Sequence, residues 1–285
     1  MTAPYALALL ALNGVGRVTA HRILERFPTL DALRATPREQ VLLRLKGAPN
    51  AEATVDALLA PEAMAPHLDR AHREVEAITS TGVHILTLGT ATWPAGLDRL
   101  PRSERPVALY AYGHVDRLER PAVSILARAP IEAAPFEAVQ AVARRLAAAG
   151  TPLVMGMGHG VDVAVQKVAL AGAPPIAVVG CGLGRMERSL RPAATALVRA
   201  GGLLLSPFAM GHGPFDHDDR ERALVQAALG EAVCVVAPPA DSSEDRAAAW
   251  AFEAGLPVAL VPPAPPGAPY AADALPADAL TAPPG

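Results

Sequence analysis

A glycine-rich turn is the part of the sequence best suited to bind an anion. It lies between the apolar run PLVM and the helical stretch VAVQKVALAG, and its members are Gly156, Gly158, His159 and Gly160. Glycines let the backbone approach an anion closely, and the free amides at a helix N-terminus favour a phosphate. Lys167, one to two turns into the helix, is placed to face the same phosphate. The alternative is a tight turn followed by an exposed lysine.

A second glycine pair stands near the N-terminus. Gly14 and Gly16 in the stretch LNGVGRVTA have the helix-hairpin-helix pattern, in which two glycines permit a tight hairpin and leave backbone N–H groups facing a phosphate. Arg17 and Thr19 are positioned to add to that contact. Residues 1–50 also carry seven basic and only three acidic side chains. We therefore predict a phosphate contact here, with a hairpin that only packs against protein as the alternative.

The remaining polar clusters give weaker signals. The loop AMGHGPFDHDDRER holds two histidines and several aspartates, but their irregular spacing differs from that of metal sites, so we predict no metal. The sequence has no Ser-His-Asp order, no strained serine elbow, no Walker loop and no zinc-protease motif. Nothing in it argues for an enzyme or for a cofactor.

Charge and composition exclude several classes of protein. A formal net charge of −3 over 285 residues rules out nucleic-acid binding by overall charge alone, so any such contact needs a local patch. Eleven scattered aromatic residues are too few for the stacking platforms of common single-strand-binding modules. Both cysteines lie in apolar runs, the N-terminal stretch lacks a basic signal region, and no apolar run spans a bilayer. We expect a cytoplasmic protein with no membrane partner.

Periodicity divides the chain into two halves and a tail. Apolar residues recur at helical spacing over residues 1–80. From Val83, six short apolar runs alternate with helical stretches and begin 23 to 30 residues apart, which is typical of a parallel sheet covered by helices on both faces. We predict a helical domain at 1–80, an α/β domain at 83–263 and a disordered, Pro/Ala-rich tail at 264–285.

Four motifs, in order, resemble those of the DNA-processing protein A (DprA/Smf) family. The run beginning WPAGL is similar to that family's entry into its Rossmann-like domain, and MGMGHGVDVAVQKVAL resembles its glycine-rich stretch. AGGLLLSPF and SSEDRAAAWAFEAGLPVALVP occupy the places of its two later motifs. The resemblance covers roughly Leu9 to Pro262. It implies a Rossmann-like parallel sheet preceded by a small all-α helix-hairpin-helix or SAM-like domain.

The resemblance also indicates which residues would hold phosphate. Arg128 stands where the family has the arginine of its GSR motif, and the Gly156 to Gly160 turn with Lys167 matches its glycine-rich stretch. Arg220 and Arg222 lie where the family has FPxRNR, although three aspartates replace its neutral and basic residues there. We carry these positions over as predicted DNA contacts.

By resemblance, the function is that of a non-enzymatic, cytoplasmic single-stranded DNA-binding protein. Family members dimerise and help to load RecA during natural transformation and recombination. Two alternatives stay open. One is a nucleotide-binding enzyme of the phosphoribohydrolase type, whose P-G-G-x-G-T motif is missing here. The other is a degenerate paralogue that has kept only an interaction or dimerisation role.

Overall fold

The N-terminal part of the chain folds into helices, as the periodicity predicts. The structure, a computed structural model, describes residues 2–280, and its first unit comprises Met1–Trp93 with Pro101–Leu109. The elements of this unit are α1 (Ala3–Leu10), α2 (Arg17–Arg26), α3 (Leu30–Arg34), α4 (Arg38–Arg44), α5 (Ala51–Leu59), α6 (Pro61–Thr79) and β1 (Val83–Thr87).

Helices α1 and α2 are joined by a turn that contains Gly14 and Gly16. Gly14 has φ +84°, a backbone conformation that L side chains rarely adopt, and Gly16 immediately precedes α2. The apolar sides of the helices meet in one core, in which Leu9, Ile23 and Leu24 are buried. The two glycines therefore serve the turn that lets these apolar faces pack together.

The second unit, Pro94–Leu100 with Tyr110–Gly285, is built on a mostly parallel sheet. Its strands are β2 (Ala108–Gly113), whose first two residues are counted with the first unit, β3 (Val123–Leu126), β4 (Leu153–Gly156), β5 (Ile176–Val178), β6 (Leu203–Ser206), β7 (Ala232–Val236), β8 (Val258–Val261) and β9 (Leu275–Pro276). The order of these strands in the sheet is β2-β6-β5-β4-β3-β7-β8-β9. Strand β2 runs antiparallel to β6, and all pairs from β6 to β9 are parallel.

Five helices cover the two faces of this sheet, which confirms the predicted α/β class. They are α7 (Ala133–Ala148), α8 (Val161–Ala169), α9 (Arg191–Arg199), α10 (Asp218–Ala228) and α11 (Ser243–Glu253). Every residue of β3, β4 and β7 is buried. A strand covered on both sides reads as a continuous apolar run, which is why these segments were recognisable in the sequence.

The strand order reverses between β3 and β7. From β3 the chain continues through β4 and β5 on one side of the sheet, whereas β7 and β8 lie on the other side. In open α/β sheets, ligands bind at the carboxyl ends of the strands where the order reverses. The segments that follow β3, β4 and β7 therefore meet at the place where a ligand site is expected.

The C-terminal segment is packed up to Leu280, which corrects the prediction of a disordered tail over 264–285. The Arg145 guanidinium donates hydrogen bonds of 2.6 to 3.0 Å to three backbone carbonyls of this segment, and Tyr270 is fully buried. The Pro/Ala-rich composition concealed two apolar anchors, Tyr270 and Leu280, whose burial fixes the chain. The rest of the predicted tail, 281–285, lies outside the described residues.

The boundary between the units also differs from the predicted one at residues 80–83. The first unit continues to Trp93 and includes Pro101–Leu109, because Val107 packs into the helical core. Within residues 2–280, no helix is both long and apolar enough to cross a membrane.

Candidate functional site

A cavity of about 340 Å³ lies at the carboxyl ends of β3, β4 and β5, at the reversal of strand order. We call it the switch-point cavity. Its lining combines glycine-rich backbone, apolar side chains and charged groups. The acidic and basic lining residues are Arg128, His159, Asp162, Glu187, Asp219, Arg222 and Glu244. Four carboxylates against two arginines make this an acid-rich site rather than a basic one.

Of the predicted glycine turn, Gly158 and His159 line the cavity and Gly156 and Gly160 do not. A carboxylate of the same chain already binds the turn. Asp162 Oδ2 accepts a hydrogen bond of 2.8 Å from the Gly158 N–H. A side chain at Gly156 would place its Cβ 2.5 Å from the same oxygen, so glycine is required for this approach. Gly160, with φ +72°, opens α8. The turn therefore leads directly into α8, and one of its amides binds an internal anion.

Arg222, predicted as a DNA contact, is instead the buried centre of a charge network. Its guanidinium donates to Glu244 Oε1 at 2.5 Å and to Gln226 Oε1 at 2.6 Å, and Nε lies 3.4 Å from Asp219 Oδ1. Burial alone would lower the pKa of Arg222, but the carboxylates of Glu244, Asp162 and Asp219 outweigh it and raise that pKa. The residue is fixed by its neighbours rather than presented to a ligand.

Local structure explains why this network forms. Gln226 on α10 donates from Nε2 to the Ile125 carbonyl of β3 at 2.6 Å, which holds the helix against the strand. Glu244 lies in the first turn of α11, where the helix dipole favours an anion. Ser242 caps that helix by accepting from the Asp245 N–H at 3.1 Å. Two helix positions and one strand thus bring Arg222 and Glu244 together.

Arg128 is the predicted cation that does reach the cavity surface. It follows β3, and its side chain is 45% exposed. Its Nη1 lies 3.1 Å from Asp219 Oδ2 and 3.7 Å from Glu244 Oε2. A half-exposed ion pair of this kind contributes little to stability, so its guanidinium remains accessible to a competing anion.

The other predicted phosphate contacts are not gathered at the cavity in the same way. His159 lies on its rim and pairs with Glu187 Oε2 at 3.2 Å. Lys167 and Arg220 are exposed residues of α8 and α10 that lie outside the cavity lining. In the helical unit, Arg17 donates to the Ser103 carbonyl at 3.3 Å.

Thr19 is 6% exposed, which corrects its prediction as a phosphate contact of the hairpin. Its position in α2 directs it into the helical core, where a phosphate cannot reach the hydroxyl. Gly16, by contrast, is exposed and has open space where a Cβ would stand. Of the hairpin residues, the glycine backbone and Arg17 are therefore the ones at the surface.

A line of aromatic rings on the loop after β6 is a feature that the sequence argument missed. Phe208 and His212 stack with 4.7 Å between ring centroids, and Phe215 and His217 stack at 5.5 Å. His212 and Phe215 join the two pairs edge to face at 5.2 Å. Asp218, which is 2% exposed, accepts from His212 Nε2 at 2.9 Å and from the Phe215 N–H at 3.0 Å.

Phe215 itself is 55% exposed, and its neighbour Pro214 lines the switch-point cavity. The only indication of this aromatic cluster in the sequence is that its Phe and His residues fall within ten residues of one loop. Counting aromatics over the whole chain concealed it, because the local density on this loop is far above the average.

The partly buried carboxyl of Asp162 leads to a prediction about stability and pH. Desolvation raises its pKa to about 6, with Glu244 and Asp219 adding to the rise, while Arg222 and the Gly158 amide oppose it. The unfolded chain therefore loses this proton near pH 3.8 and the folded chain only near pH 6. Between these two pH values, a rise in pH lowers the free energy of unfolding. Above the higher value, this loss of stability is complete.

We expect the free energy of unfolding to fall between acid and neutral pH in the wild type. In Asp162→Asn, we expect this fall to be smaller by about 1–2 kcal/mol. Asparagine keeps an acceptor for the Gly158 N–H, so the comparison isolates the ionisation. Urea unfolding of both proteins at either end of the interval measures the difference. Equal losses in the two proteins would show that the carboxyl does not titrate as described.

These observations define the class of protein: an open, Rossmann-like α/β protein with a ligand cavity where the strand order reverses, carrying a helical unit at its N-terminal end. The family model described as DNA recombination-mediator protein A matches residues 84–271. The chain therefore belongs to the DNA recombination-mediator protein A family, which confirms the resemblance found in the sequence.

Two solved structures are similar in fold. DNA processing protein A from Streptococcus pneumoniae is 18% identical, with a TM-score of 0.62 over 90% of this chain and 90% of that chain. DNA processing protein A from Helicobacter pylori, whose structure is described by its single-stranded DNA binding mode, is 24% identical. Its TM-score is 0.55 over 64% of this chain and 82% of that chain. No curated protein matches the chain.

Proposed function

We propose that this chain binds single-stranded DNA along the carboxyl edge of the sheet, with a phosphate at the mouth of the switch-point cavity. The observation that carries the proposal is the half-exposed Arg128 guanidinium, which lines the same cavity as Gly158 of the glycine turn. Guanidinium groups and amides at a helix N-terminus are the groups that proteins use to hold phosphates. Family membership and the described DNA binding of the Helicobacter pylori relative support it.

The proposal includes a role in the cell and an assembly. We infer a non-enzymatic mediator that assists RecA loading in DNA uptake, natural transformation and homologous recombination, and that acts as a homodimer. The description of the family as recombination mediators supports this role. Light scattering with and without an oligonucleotide tests the dimer, and a monomer in both conditions would contradict it.

Electrostatics limit how tightly the strand can bind. Asp219 already neutralises Arg128, and Glu187 neutralises His159 when that ring is protonated. An incoming phosphate must displace these partners instead of meeting free cations. We therefore expect weak binding that falls steeply with salt, because each phosphate contact is an exchange between ions.

Removing the charge at Arg128 tests the site. Arg128→Met is expected to weaken binding of oligo-dT several-fold and to reduce the slope of log K against log salt by about one, since one phosphate contact is lost. Fluorescence anisotropy over a salt series measures both quantities.

Lys167→Met is the matched control, because it removes one exposed positive charge outside the cavity. We expect it to change the affinity less than Arg128→Met does. If the two variants weaken binding equally, or if Arg128→Met has no effect, the strand does not enter at the switch-point cavity.

A further inference from the structure

A buried acceptor without a donor lines the switch-point cavity. Glu244 is 1% exposed, and its Oε1 is held by Arg222, whereas Oε2 has no hydrogen-bond partner among residues 2–280. Arg128 Nη1 lies 3.7 Å from Oε2, which is too far for a hydrogen bond. Buried polar atoms are almost always paired, because leaving one unpaired is costly. Oε2 is therefore placed to accept from a group that enters the cavity.

The surroundings of Oε2 determine which group can enter. Arg222 directs its donors at Glu244, Gln226 and Asp219, so it offers little to a ligand. Asp162 and Asp219 add further carboxylate acceptors to the lining. A ligand that presented oxygen atoms to this wall would meet like charge, whereas one that presented N–H groups would be bound.

The rest of the lining suits a flat apolar ring. Met157, Met186 and Leu190 contribute apolar surface, and methionine sulfur packs favourably against aromatic rings. The volume of about 340 Å³ falls within the range of about 300 to 1,000 Å³ that is usual for small-ligand sites. An aromatic ring with an amino group on its edge packs against the apolar side chains and donates to the carboxylates.

We propose that the switch-point cavity binds a nucleobase that carries an exocyclic amino group, of the cytosine or adenine type, with Glu244 Oε2 accepting from the amino group. Thymine and uracil present a carbonyl oxygen at the equivalent position, so the acidic wall binds them less tightly. The proposal rests on the proposed function where the base is part of a DNA strand. A free nucleotide offers the same chemistry, and the experiment separates the two sources.

Ligands that differ only in this group provide the test. Oligo-dC and oligo-dU of equal length differ in the amino group that the proposal uses. Fluorescence anisotropy at neutral pH and low salt should show oligo-dC binding about tenfold more tightly than oligo-dU to the full chain. Thermal unfolding with dCMP or dUMP forms the second arm, in which dCMP should stabilise the protein more.

The variant Glu244→Gln tests the residue. Because Arg222 retains the side-chain oxygen, the glutamine amide turns its N–H groups into the cavity, and the preference for oligo-dC should fall to one or below. Glu187→Gln is the matched control, since it neutralises an exposed carboxylate of the same lining and should keep the preference. Circular dichroism verifies that both variants are folded, and the ligand pairs test the wild type independently of either variant.

Each outcome has a distinct meaning. A preference for oligo-dC that Glu244→Gln abolishes supports the proposal with DNA as the ligand. Equal binding of the oligonucleotides with a selective effect of dCMP supports it with a free nucleotide as the ligand. If neither oligonucleotide binds, the proposed DNA binding fails, while the nucleotide arm still decides about the cavity. If the protein distinguishes neither the two oligonucleotides nor the two nucleotides, the inference is overturned.

Discussion

Arg222→Met is expected to lower the free energy of unfolding by about 3–5 kcal/mol, because it leaves the buried carboxylate of Glu244 without the cation that donates to it. Glu244, which is 1% exposed, would lose the guanidinium that holds its Oε1, and Asp219 would lose one of its two arginines. A buried charge without a partner cannot recover its hydration by local movement alone. Urea unfolding followed by circular dichroism measures the loss.

A double variant distinguishes the charge effect from the loss of packing. Arg222→Met combined with Glu244→Gln should recover part of the lost stability, because the orphaned carboxylate is then absent. Arg199→Met, an exposed arginine of α9, serves as the control and should stay within about 0.5 kcal/mol of wild type. A loss in Arg222→Met no larger than that of the control would mean that the network does not stabilise the fold.

The architecture could be predicted because it depends on patterns that are local in the sequence. Two of the six apolar runs predicted from the sequence, PLVM and the run that starts at Ala232, form β4 and β7, since a strand buried on both faces must be apolar throughout. The positive φ of Gly14 was likewise implied by a glycine between two helical stretches. Motif order then indicated the family without any knowledge of the contacts.

The state of the site could not be predicted, because it depends on residues far apart in the sequence. Glu244 is 22 residues from Arg222, and Asp219 is 91 residues from Arg128. The family motif predicts Arg222 as a DNA contact, whereas its guanidinium, on α10, donates to Glu244 of α11. Nothing in the spacing of the arginines shows that carboxylates from other segments neutralise them.

The aromatic loop after β6 shows that the composition of a whole chain can conceal a local cluster of rings. A low total of aromatic residues argued against base stacking, yet Phe208, His212, Phe215 and His217 lie side by side. Their alignment depends on Asp218, which binds both His212 and the Phe215 backbone. A single exposed ring beside the cavity is enough for one base, whatever the average over the chain.

Phe215→Ala is expected to weaken single-stranded DNA binding about 5- to 150-fold, which corresponds to about 1–3 kcal/mol for one stacked base. The prediction rests on the proposed function and on the position of the ring, which is 55% exposed and follows the cavity-lining Pro214. Every base has a π-face, so we expect the loss with oligo-dT and oligo-dC alike. Anisotropy titrations at low salt measure it.

The kind of loss identifies stacking as its cause. The slope of log K against log salt should stay unchanged in Phe215→Ala, because no phosphate contact is removed, in contrast to Arg128→Met. Phe215→Tyr should restore the affinity, and Phe215→Leu should not, since only the former keeps an aromatic face. Tyr112→Ala is the control. This exposed ring lies one residue before the end of β2, which runs antiparallel to β6, so it lies at the opposite edge of the sheet. If Tyr112→Ala weakens binding as much as Phe215→Ala does, or if leucine restores binding, the loop after β6 does not stack a base.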